Sequence, residues 1–110
     1  MISWERVNEL RDEVGQDDFL AVVEIFLEEV GEVMERLKAS PDPTTLEAEL
    51  HFLKGSALNL GFAALSQLCQ TGEKDAAQKN YDAIDLPAVL ATYESSRAEF
   101  NNGSGFANAA

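Results

Sequence analysis

The chain has 110 residues, 45% of them hydrophobic and 25% charged, the composition of one globular domain with a modest core. Its formal charge of −12 makes a surface that repels nucleic-acid phosphates and anionic lipid, and no basic cluster interrupts it. No apolar run approaches the roughly 20 residues that span a bilayer, and the opening residues lack the apolar core of a leader, so a cytoplasmic location is expected.

Ser3 is placed to cap a short first helix through Trp4, Val7, Leu10 and Arg11, with Gly15 as its stop. This helix is expected to lid one end of a larger bundle. From Asp17-Asp18, the residues Phe19, Val23, Phe26, Val30, Val33 and Leu37 step by four and three, and glutamates fill the gaps. That is a long amphipathic helix. Ser40-Pro-Asp-Pro43 breaks it, since proline lacks an amide donor, and Thr44 with Glu47 reads as the capping box of the next helix. There Leu46, Leu50, Leu53, Ala57 and Leu60 repeat the spacing of a buried seam, and Gly61 offers an end. Phe62, Leu65, Leu68, Cys69, Gly72 and Ala76 outline a further helix, and Asp85-Leu-Pro87 opens the last one, which runs through Tyr93 to Phe100.

The expected fold is therefore all-α, an up-down four-helix bundle with a short additional N-terminal helix, occupying residues 1–100. Residues 101–110, rich in Asn and Gly, are expected to form a frayed tail. The chain's single cysteine, Cys69, sits among leucines and reads as a small buried hydrophobe.

One constellation carries chemistry. At about 100° per residue, His51 lies roughly opposite the leucine seam, so a buried seam points the imidazole outward. Lys54 and Gly55 follow on its own face at i+3 and i+4, and Leu58 at i+7. Glycine within a helix costs about 1 kcal/mol relative to alanine, and here the missing β-carbon would let another protein's active site approach the imidazole. An exposed neutral imidazole is a competent nucleophile towards phosphorus. Lys54 is expected to disfavour the imidazolium and to offset charge on phosphoryl oxygens. From Gly55 to Gly72 no residue is charged. Where Leu58 and Phe62 reach the surface of that run, they are expected to form an apolar docking patch.

The segment His51-Phe-Leu-Lys54-Gly55-Ser56, continued by Asn59, Gly61, Leu65 and Cys69, closely resembles the phosphorylation-site motif of the histidine-containing phosphotransfer (Hpt) family. The resemblance implies a phosphorelay protein of two-component signal transduction. His51 would be the phosphoacceptor, Lys54 its electrostatic support and Gly55 the steric opening, with Ser56 supporting the helix or its hydrogen bonding. Partners would be receiver domains of response regulators and a hybrid histidine kinase. The resemblance further implies a phosphocarrier without kinase activity of its own and without a cofactor on this chain, Mg²⁺ being held by the receiver. The high net charge and self-contained core lean towards a monomer. One departure stands out. The family often continues Cys-x-x-Leu-Glu, whereas this chain has Cys69-Gln-Thr-Gly72-Glu73, so weaker local packing is expected.

Two other readings compete. The chain resembles the phosphotransfer module of a larger chemotaxis-type kinase, of which it would be a fragment. Alternatively it is an acidic helical adaptor that binds receivers without chemistry and would bind them equally after His51→Gln. One histidine and one buried cysteine do not build a usual metal shell, and there is no nucleophile-elbow context for a hydrolase.

Overall fold

The computed structural model describes residues 2–103. They form α1 (Trp4–Val14), α2 (Gln16–Ala39), α3 (Pro43–Leu60), α4 (Ala63–Ala77) and α5 (Leu86–Gly103), with a 3-10 turn at Tyr81–Ala83 before α5. The last four helices make the up-down bundle, and α1 closes the end where α3 turns into α4. The body measures 43 × 22 × 20 Å, and the 24 residues of α2, at about 1.5 Å each, span most of its length.

The helix boundaries follow from local chemistry. Ser3 Oγ accepts from the Arg6 amide at 3.3 Å, and Gly15, at φ 87°, donates to the Arg11 carbonyl and turns the chain into α2. The start of α3 differs from the expected capping box at Thr44. Asp42 is the N-cap, its Oδ1 accepting from the Thr44 amide at 2.9 Å and the Thr44 hydroxyl at 2.8 Å, while Pro43 occupies the first position, where no amide is needed. A carboxylate that takes both bonds outcompetes a hydroxyl as cap, and these bonds, the side-chain one foremost, hold the Asp42 carboxyl below its ordinary value. Asp85 opens α5 in the same manner, accepting from the Ala88 amide at 3.0 Å.

Helix α5 continues through residues 101–103, the first part of the expected frayed tail, because the buried Phe100 anchors its last turns. The rest of that expectation, residues 104–110, lies outside the described residues.

Leu46, Leu50, Leu53, Ala57 and Leu60 are all buried, joined in one core with Val23 and Val30 of α2, Leu65 and Cys69 of α4, and Val89 and Tyr93 of α5. The lid role of α1 is visible in its anchors. The Ser3 amide donates to the Gly61 carbonyl at 2.6 Å, and the Trp4 ring stacks on Phe100 with centroids 6.0 Å apart. Gly61 ends α3 in the left-handed region, at φ 81°. A β-carbon there would stand 2.7 Å from the Ser3 carbonyl oxygen, so only glycine permits the closure.

Helices α3 and α4 are the most intimate pair. A β-carbon at Gly72 would lie 3.1 Å from Leu50 Cδ1 and 3.5 Å from Ile84 Cγ2. The expectation of weakened packing at this glycine is therefore corrected, because Leu50 and Ile84 already fill the space a leucine would take.

Candidate functional site

His51 projects from the flank of α3 with its side chain 67% exposed, as its position opposite the leucine seam requires. Across the groove, Glu73 of α4 reaches both predicted polar residues. Its Oε2 lies 2.8 Å from His51 Nδ1 and its Oε1 2.8 Å from Lys54 Nζ. One carboxylate thus bridges the imidazole and the ammonium. Gly72 next to it allows the close approach of the two helices that makes the bridge short.

The bridge determines the state of the ring. Lys54's hydrogen bond holds the Glu73 carboxyl below its ordinary value, His51 acts in the same direction, and partial burial opposes both. An ionised carboxylate can only accept, so Nδ1 must carry the hydrogen. In the neutral ring the lone pair then resides on Nε2, the edge turned away from Glu73. The Lys54 ammonium beside the ring is thus itself paired with the carboxylate that holds the imidazole.

Gly55 has open space around it, with nothing within 4 Å of an added β-carbon, so it serves no helix crossing and leaves the surface beside His51 low. Leu58 is 56% exposed two turns further along α3, beside an apolar cleft that Ala57, Gly61 and Ala63 share with Ser3 and Arg6 of α1. One expected position is corrected. Phe62 is 1% exposed, with its ring 5.8 Å from that of Phe100, so it is part of the core and unavailable to a partner. Ser56 is buried on the far side of α3 from His51.

Glu73 was the residue missed. As the first charged residue after the uncharged run and the neighbour of the buried Gly72, it carried a signal, but its importance depends on a contact across 22 positions of sequence. Outward from the bridge, a shallow hollow is lined by Glu47, Gln70 and Lys74 together with Lys54 and Glu73.

An all-α bundle that shows solvent a single histidine, oriented by an acidic neighbour, defines a helical histidine module. The family model described as "Hpt domain" matches residues 21–99, and the chain belongs to the Hpt family. Its role is accordingly histidine phosphotransfer in a phosphorelay. Hpt domains are phosphocarriers rather than kinases and interact with receiver domains and response regulators. Neither the curated proteins nor the solved structures yielded a significant match. No described helix is long and apolar enough to cross a membrane.

Proposed function

We propose that His51 is the phosphoryl-accepting residue and that it exchanges the group with the aspartate of a receiver domain. The observation that carries this reading is the division of the imidazole. Nδ1 is engaged by Glu73 at 2.8 Å, while the ring as a whole stays two-thirds exposed, so Nε2 is open to a partner.

In the transfer, the Nε2 lone pair attacks the phosphorus of an aspartyl phosphate. The N–P bond forms as the P–O bond breaks, and the electron pair returns to the aspartate carboxylate. The reaction consists largely of alignment and of charge stabilisation on the equatorial oxygens. Lys54, one turn beyond His51 on a flexible stem, brings an ammonium within range of those oxygens. Gly55 lets the partner's loops close down, and the exposed Leu58 supplies apolar docking area on a stretch of sequence without charge. The receiver provides the Mg²⁺ and the acidic pocket.

Phosphorylated receiver domains mixed with this protein and with a His51→Gln variant test the reading. Label should pass to the wild type alone, giving an acid-labile, alkali-stable adduct. Absence of transfer, together with unchanged binding of the variant, would establish the adaptor instead.

A further inference from the structure

The molecule has a formal charge of −12, yet the hollow beside the histidine is neutral. Glu47 and Lys54 reach it from α3, Glu73 and Lys74 from α4, so two carboxylates meet two ammonium groups. The two lysines differ in circumstance. Lys54 is paired with Glu73 at 2.8 Å, whereas among the described residues no carboxylate lies within ion-pair distance of Lys74. Lys74 is also the one charged residue at the exposed positions of α4, where its company is Ala63, Gln67, Gln70, Thr71 and Ala77. Helix α2 is the contrast, with seven carboxylates against two basic residues. A cation in the last turn of a helix is ordinary, because it faces the negative end of the helix dipole. That effect does not require it to line the hollow next to the histidine, nor to lack a partner there.

We infer that Lys74 is a partner-selecting residue, its unpaired ammonium receiving a carboxylate on the rim of an incoming receiver domain and so favouring receivers that carry an acid at that point. This rests on the assignment of His51 as acceptor. A phosphorylated receiver brings a phosphoryl group and the carboxylates of its metal pocket against a single Mg²⁺, so the face it turns to His51 is anionic. Over α2 such a face meets like charge. Over the hollow it meets fixed charges that cancel and an ammonium able to form a new pair.

At about 0.1 M salt a charge is felt over about 10 Å, so the groups around the hollow, rather than the total of −12, govern the last stage of approach. Lys74 is what keeps that neighbourhood from being net negative. Charges at the rim of an interface act chiefly on the rate of association and its salt dependence. Lys74 forms no hydrogen bond or ion pair with the imidazole, so the transfer step inside the complex is left to the other groups.

The test follows receiver domains, phosphorylated with acetyl phosphate in the presence of Mg²⁺, as they bind and pass label to the intact chain. Wild type is compared with Lys74→Ala, Lys74→Glu, Lys74→Arg and Lys38→Glu, the last making the same change in total charge on α2. At low salt the association rate should fall about two- to fivefold in Lys74→Ala, the range of an exposed ion pair, and further in Lys74→Glu. Lys74→Arg should restore it, and Lys38→Glu should match wild type. The transfer rate at saturating receiver should be unchanged, and the differences should vanish at about 1 M salt, where screening acts within about 3 Å. Wild-type association by Lys74→Glu would overturn the proposal. So would equal slowing by Lys38→Glu, which would reduce the effect to total charge, or a salt-independent loss at saturating receiver, which would mark a structural role. Association that depends on Lys74 without transfer of label would sink the phosphoacceptor reading and leave this one standing; transfer that ignores Lys74 would do the reverse.

Discussion

Replacing Gly55 by alanine separates folding from function. The position lies inside α3, where glycine costs about 1 kcal/mol relative to alanine, and an added β-carbon meets nothing within 4 Å. No overpacking offsets the gain, so Gly55→Ala should stabilise the domain by about 1 kcal/mol, a rise of roughly 4 °C in Tm for a chain of this size. In the proposed transfer, the same methyl group stands on the surface that a receiver covers to reach Nε2. Reacting atoms need to approach within about 3–3.5 Å, and a misplacement of about 1 Å costs on the order of a hundredfold in rate. Transfer should accordingly slow by ten- to a hundredfold, in round figures, while thermal unfolding followed by circular dichroism moves upward. A variant less stable than wild type would refute the open placement of Gly55. A stabilised variant that transfers at the wild-type rate would refute its role in access.

Gly61→Ala should do the opposite. A left-handed backbone costs a non-glycine residue roughly 1–2 kcal/mol, and the clash with the Ser3 carbonyl adds to it, so a clear fall in Tm is expected, together with loss of α1 docking read from Trp4 fluorescence. Phe62→Ala should cost about 3–5 kcal/mol in a denaturant titration, the loss for a buried phenylalanine; near-neutral stability with weakened receiver binding would return Phe62 to the surface. Burial, reinforced by the charge of Glu73, pushes the Cys69 thiol up to about 12, so a maleimide should label it only under denaturing conditions. Glu73 is held below its ordinary value of 4.5, so its bridge contributes fully above that value and is lost as pH falls through the lower folded-state value. The stability difference between wild type and Glu73→Gln, no more than about 1 kcal/mol for a bridge at the surface, should thus be present at neutral pH and vanish in acid.

Much of this architecture was legible because its signals are local and periodic. The stripe from Phe19 to Leu37 and the seam from Leu46 to Leu60 each name their buried face, and the outward direction of His51 follows by angle alone. Phe62 was misread because it follows Gly61, whose left-handed turn redirects the chain and aims the next side chain inward, outside any helical count. Asp42 was overlooked as a cap because Thr44 and Glu47 satisfy the same pattern two residues later. Glu73 and Gly72 belong to another category. Their meaning arises from how near α4 comes to α3, a distance that no single helix encodes.

That distance has a mechanical consequence. The ring and the carboxylate sit on separate rods, and the gap between the rods is gauged by a side chain that is absent one residue away from the carboxylate. Any swelling at Gly72, or any recoil of Leu50 beneath it, would be transmitted to the imidazole as a stretched or broken contact. On the proposed reading of His51, the core beneath the site is then a place from which the exposed edge is tuned without touching the surface that a partner reads.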